Sequence, residues 1–364
     1  MVMMGSIFSM WGWNSFGKTA RPRRAAAQPV RRAPMPFWIV TVALAAALPA
    51  AAEPPRLGLP LACEPGKTCF VQHYVDVAPG LSPQDFRCGH STYEGHSGTD
   101  FRVLSAAAAR QGIAVLAAAG GIVKGRRDGM ADGFPRETGR DAITGRECGN
   151  GIVIDHGDGW ETQYCHMRQG SVRVETGQEV ERGTALGEVG YSGLADSAHL
   201  HLTVRHQTRV IDPFTGRSPD GTCQRTPGET RALFDDNVIQ AFPYTDGDFL
   251  QTGFAGRTVT WAELELDHTV GAPISPASDA LIFFARMTHL RSGDRVRLIV
   301  SGPGGFALDV PGTSVDRDKA IYIAHAGKKR PHKRWPSGLY SGEARLIRDG
   351  AEIRISRQTI SMPE

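Results

Sequence analysis

Apolar and polar positions alternate in short runs along most of the chain, and few stretches repeat at helical spacing. Residues 113–117, 120–124, 151–156, 161–166, 171–174, 185–190 and 199–204 are strand-like runs separated by Gly-rich turns. The main helical candidate, residues 104–110 (LSAAAAR), is short and Ala-rich. Strands of this length and spacing predict a compact antiparallel sheet or barrel. Residues 124–148 are polar and Gly-rich, which predicts a long surface loop. From about Gln224 a second set follows at residues 258–266, 280–287, 294–300, 320–323, 343–348 and 352–356. The chain therefore reads as mainly β, an antiparallel-sheet domain followed by a β-sandwich-like C-terminal domain.

The N-terminal region has a different pattern. A stretch holding Lys18, Arg21, Arg23, Arg24, Arg31 and Arg32 leads into an uncharged apolar run at residues 37–48, then Pro49 and Ala50-Ala51-Ala52. That layout predicts a signal peptide over residues 1–52, cleaved after Ala52. The apolar run falls short of the ~20 residues that span a bilayer, so the expected membrane contact is only through this signal or anchor. It also changes the charge. The 364 residues carry 41 Lys+Arg against 38 Asp+Glu, a formal +3, but six of the basic residues and none of the acidic ones lie in 1–52. The remainder holds 35 against 38, or −3, which removes any nucleic-acid reading.

Cysteines 63, 69, 88, 148, 165 and 223 all follow the predicted signal, and none forms C-x-x-C. An even count in an exported chain favours disulfides over a zinc ribbon or a thioredoxin-like motif. Cys63–Cys69 is the expected local bridge, with Cys88–Cys148 and Cys165–Cys223 expected to staple the domain between them.

Candidate chemistry concentrates at His96-Ser97-Gly98-Thr99-Asp100, Tyr164-Cys165-His166 and His199-Leu200-His201. On an extended strand His199 and His201 share a face, and the even separation of His96 and Asp100 puts them on one side as well. By the same alternation His166 shares a face with Thr162 and Tyr164. Two imidazoles and a carboxylate with one open corner make the donor set of a catalytic zinc site.

With Gly149-Asn150-Gly151-Ile152-Val153-Ile154-Asp155-His156-Gly157 and Asp212-Pro213-Phe214 in the same order, residues 84–214 resemble the LytM/lysostaphin-type zinc peptidases, which cleave peptidoglycan cross-bridges and stems. The resemblance implies that His96, Asp100 and His201 hold Zn2+. It also implies that His166 and His199 flank the water that the metal activates. The implied layout is a 53–83 linker or extension, a LytM-like zinc peptidase domain at 84–223, and a C-terminal β-rich domain at 224–364. The implied activity is endopeptidase hydrolysis of peptidoglycan peptide stems in the periplasm or cell envelope. The alternative is a non-catalytic LytM-like regulator that activates a cell-wall amidase.

No His-Glu-x-x-His is present, so the glutamate base of other zinc peptidases is missing. His199 is the expected base, and His166 the partner that orients water or stabilises the oxyanion. Tyr93 is either an oxyanion donor or a packed turn residue. Cys165 stands where the family commonly has a small residue, and the 124–148 segment is longer than usual, which bears on the preferred bond. His156 reads as structural, and His73, His90 and His206 as surface groups. In the C-terminal domain His268, His289, His325 and His332 are scattered without ligand spacing.

Overall fold

The computed structural model describes residues 53–80, 82–139, 141–221, 223, 231–266, 274–330 and 333–364. The expected signal, the boundary near Gln224, His268 and His332 lie outside the described residues. Among the described residues no helix is long and apolar enough to cross a membrane.

The N-terminal elements are β1 (Cys69–His73), β2 (Thr99–Val103), α1 (Ala106–Arg110), β3 (Ala114–Leu116), β4 (Gly121–Arg127) and α2 (Pro135–Thr138). They are followed by β5 (Asn150–Asp155), β6 (Trp160–Met167), β7 (Glu179–Val180), β8 (Ala185–Glu188), β9 (His199–His206) and β10 (Arg209–Ile211). Eight of these strands form one antiparallel sheet in the order β1-β2-β9-β6-β5-β4-β7, with β10 on β9, while β3 and β8 pair separately. The chain continues through α3 (Asp236–Ala241), β11 (Asp248–Ala255), α4 (Trp261–Leu266), β12 (Ala280–Leu290) and β13 (Arg295–Ser301). It ends with β14 (Ala307–Val310), β15 (Lys319–Lys329), β16 (Gly338–Arg348) and β17 (Ala351–Met362). These last strands make a three-stranded sheet, β11-β12-β15, and a four-stranded sheet, β14-β13-β16-β17. Phe283 and Met287 of the first and Leu298, Tyr340 and Leu346 of the second meet in one buried cluster.

Alternation sets which side chains reach the main core. Phe101 and Val103 of β2, Tyr164 of β6, and Leu200, Leu202 and Val204 of β9 are buried there, which turns Asp100, Cys165, His199 and His201 to the opposite face. Leu57 and Leu61 are fully buried in the same core, and β1 forms the edge of the main sheet.

Three local expectations need correction. Residues 258–266 alternate like a strand yet hold helix α4, because Thr260 and Glu263 form a reciprocal cap. The Glu263 amide donates to Thr260 Oγ1 at 3.3 Å and the Thr260 amide to Glu263 Oε2 at 2.7 Å. Residues 171–174 form no strand, and 124–148 is no bare loop, since it contains the end of β4, α2 and a turn of 3-10 helix at Asp141–Ile143. The disulfides are Cys63–Cys69, Cys88–Cys223 and Cys148–Cys165. The two longer expected pairings are wrong because the 124–148 segment folds back onto β6, leaving Cys88 to the chain after β10.

A buried ion triad ties the C-terminal strands to the main sheet. Glu265 of α4, with no exposed side-chain surface, takes Arg102 of β2 and Arg286 of β12, each about 1% exposed. Its second oxygen accepts from the Ala198 amide at 3.1 Å, immediately before β9. Burial and the Arg102 charge pull the Arg286 guanidinium down to about 10. Replacing Glu265 with Gln leaves two guanidinium groups buried without an anion, so the variant should lose about 3–5 kcal/mol of stability. Urea unfolding reads this directly, and an unchanged midpoint would show that the triad does not hold the parts together.

Candidate metal centre

The site is a row of side chains across four strands on the face turned away from the core. Directly opposed residues in antiparallel strands share a face. Asp100 of β2 stands opposite His201 of β9, which stands opposite Cys165 of β6. On the other flank a register shift between Val71 and His73 pairs His73 of β1 with Asp100. Without that irregularity His73 would point with Val71 into the core.

His96, Asp100 and His201 converge, their ligand atoms lying within 4.8 Å of one another. Asp100 Oδ1 is 2.8 Å from His201 Nδ1 and 3.1 Å from His96 Nε2, and the two imidazole nitrogens are 3.2 Å apart. The outer nitrogens are anchored, with His96 Nδ1 2.7 Å from the Tyr74 carbonyl and His201 Nε2 3.0 Å from Thr203 Oγ1. A carbonyl only accepts, so His96 carries its proton on Nδ1 and turns a lone pair inward. Two inward nitrogens and a carboxylate oxygen at this separation suit a cation, and the anchored outer atoms are the usual support of metal-binding histidines. Gly98 makes room for this ring, because a Cβ there would lie 2.5 Å from His201 Nε2.

His96 reaches the row from a turn before β2 rather than from a strand, so the even spacing to Asp100 is not what brings them together. His166 is also placed by an irregularity. Alternation assigns it to the face of Thr162 and Tyr164, which is buried against Ala118, but its φ of +63° turns it the other way. Its ring then lies 4.7 Å from that of His199 and 5.9 Å from that of His201. The Cys148–Cys165 disulfide and a 2.8 Å bond from the His166 amide to the Cys148 carbonyl fasten the 124–148 segment beside it.

Electrostatics follow from burial and from one carboxylate. Burial alone would raise the pKa of Asp100, but His96 and His199, with bonds from His201 and His73, hold it well below the usual carboxylate range. Burial pulls His96 down, and the Asp100 charge more than compensates, so it is raised. His199 is lowered by burial despite Asp100. His166 is pushed well below the ordinary imidazole value, first by burial and then by His199 and His201. The outer nitrogens of both are fixed by carbonyls, His166 Nδ1 by Ser192 and His199 Nδ1 by Ser197, each at 2.8 Å.

The five site positions named from the sequence are therefore brought together. One neighbour was missed: His73, expected on the surface, is mostly buried, and its Nδ1 lies 2.9 Å from Asp100 Oδ2. Nothing in the strand pattern signals it. Tyr93 is half exposed and packs its ring 4.5 Å from that of His96. His156 is held by the Gly120 carbonyl and Thr162, His206 lies flat on Trp160, and His90 is exposed.

An antiparallel sheet carrying this donor set on one face is the scaffold of a metallopeptidase-type domain. Residues 94–213 match the family model of Peptidase family M23, and the chain carries a domain of that family there. The DD-carboxypeptidase/endopeptidase Mpg of Neisseria meningitidis serogroup B is 29% identical over 171 residues, 46% of this chain and 31% of that protein. The peptidoglycan DD-endopeptidase ShyB of Vibrio cholerae is 30% identical over 97 residues, 26% of this chain and 22% of that protein. Among solved structures, the catalytic domain of the prophage-encoded M23 protein EnpA from Enterococcus faecalis shares 19% identity at a TM-score of 0.29, covering 44% of this chain and 94% of that one. The matches span less than a third of the length of these curated relatives.

His73 orients Asp100 from behind, so His73→Ala should weaken binding of a divalent ion by about 10–100-fold. Competition with a chromophoric chelator measures this, and an unaltered affinity would show that the His73–Asp100 bond does not set the donor geometry.

Proposed function

We propose that the protein is an exported zinc endopeptidase that hydrolyses peptide cross-links of bacterial peptidoglycan. The observation that carries this reading is the convergence of His96, Asp100 and His201 within 4.8 Å. His96 Nε2, Asp100 Oδ1 and His201 Nδ1 would hold the ion, a His/carboxylate set of the kind that leaves one corner of a catalytic zinc site open. When bound, zinc polarises the scissile carbonyl and brings the acidity of water close to neutral pH.

His199 is the base in this reading. Its Nδ1 donates to the Ser197 carbonyl, and its Nε2, 3.6 Å from Asp100 Oδ1, faces the donor cluster with a free lone pair. Burial lowers its pKa and so favours the neutral form, which can take the proton of the attacking water and return one to the leaving amine. His166 is fixed in the same way by Ser192 and turns Nε2 to the water from the other side. Relatives named as DD-endopeptidases support the D-alanyl–diaminopimelate cross-link as the target.

The proposed organisation is an export signal at 1–52, a peptidase domain at 84–223 and a C-terminal region at 224–364. The burial of Leu57 and Leu61 supports keeping residues 53–83 in the active protein rather than removing them as a propeptide.

Purified protein incubated with isolated sacculi should release new amino groups, contain close to one zinc per chain and stop on chelation. His201→Ala should lose both metal and activity. His199→Ala should keep the metal and lose about 10²–10⁴-fold in rate. Zinc-loaded protein that leaves sacculi intact but stimulates a separate amidase would overturn the proposal.

A further inference from the structure

Two cavities flank the donor cluster, and they differ in character. The one on the His166 side, about 320 Å3, is lined by Glu147, Gln163, Thr203 and Arg205 around the Cys148–Cys165 bridge. The one on the His199 side is larger, about 600 Å3, and is lined by His73, Asp100 and His199 together with Arg136, Trp261 and Ile321. Tyr93 and Leu194 line both. The second cavity is thus walled by parts of the chain remote from the main sheet: α2 within the long 124–148 segment, α4, and β15.

Arg136 is the unusual member of that wall. Its guanidinium carbon lies 3.5 Å from the centroid of the Trp261 ring and 4.8 Å from that of Phe134. Phe134 is fully buried and stacks on Tyr191 at 4.8 Å, which fixes the platform. Among the described residues no carboxylate lies within ion-pair distance of Arg136. A guanidinium held against an indole face keeps its in-plane N–H donors free, and its fork matches the two oxygens of a carboxylate. The other arginine of this cavity, Arg102, is already committed to Gln72 and Glu265. Asp196, which is exposed, and Asp100 also line the cavity, so Arg136 is the one arginine there that is not already paired with a carboxylate among the described residues. Such a cavity admits a single carboxylate on a peptide chain and discourages a polyanion.

We propose that Arg136, backed by Trp261, is a specificity-determining residue that receives a free carboxylate of the peptide substrate in the cavity on the His199 side. This rests on the peptidase reading above and assigns the long insertion a role within it. The side chain touches no reacting atom. It sets which peptide is held across the cluster.

The test is binding, measured by calorimetry on the zinc-loaded protein, so that it stands apart from hydrolysis. The probes are the stem-like peptide Ala-D-isoglutaminyl-Lys-D-Ala, whose only carboxylate is the C-terminal one, and the same peptide with a C-terminal carboxamide. The wild type should bind the carboxylate at least about tenfold more tightly, Arg136→Ala should bind both forms alike, and Arg136→Lys should recover part of the preference. On sacculi Arg136→Ala should raise KM with little change in kcat. Equal binding of the two peptides by the wild type, no binding of either, or a preference that survives in Arg136→Ala would overturn the proposal. Failure of the wild type to hydrolyse sacculi would instead count against the peptidase reading while leaving the binding preference measurable.

Discussion

The structure turns on one buried carboxylate. Asp100 is about 4% exposed, and its oxygens face four imidazoles: His201, His96 and His199 around Oδ1, and His73 on Oδ2. An anion withdrawn from water this far is stable only if surrounding groups return the lost solvation. The imidazoles do so here, which is why its pKa falls although burial pushes it upward. Their arrangement on one side of a sheet, with outer nitrogens tied to carbonyls and a threonine, aims inward nitrogens that can donate N–H to the carboxylate or turn lone pairs to a divalent ion.

Holding that carboxylate in place involves more than the main sheet. Arg102, two residues along β2, stands opposite His199 in the sheet and forms the buried triad with Glu265 and Arg286. The Glu265 carboxylate also takes the amide of Ala198, next to His199. His289 of β12 reaches the carbonyl of Gln72, the residue before His73. The C-terminal strands therefore pack beside the site, on the face of the sheet that carries Asp100 and His199, besides lining one cavity. A region whose sequence carries no chemical motif contributes structurally to the site.

Much of the site was legible in the sequence because regular strands report their faces. His199 and His201 alternate with Leu200 and Leu202, and the alternation survives in the structure as site face and core face. What the strand pattern could not supply was any placement that depends on an irregular backbone or on the path of distant segments. His73 and His166 reach the site through a register shift and a left-handed φ, neither of which leaves a residue pattern. His96 approaches from a turn. The pairings of Cys88, Cys148, Cys165 and Cys223 depend on the path of the 124–148 segment, which local composition does not encode. Helix α4 was the avoidable error, because Thr260 and Glu263 have the spacing of a capping box even though the surrounding alternation suggests a strand.

The most direct test is X-ray absorption at the zinc edge on the purified metal-loaded protein. The account predicts a first shell of nitrogen and oxygen scatterers at about 2.0–2.1 Å, with outer-shell features of two imidazoles and no sulfur. A sulfur shell near 2.3 Å, or a spectrum without imidazole scattering, would place the ion elsewhere and contradict the role assigned to His96, Asp100 and His201.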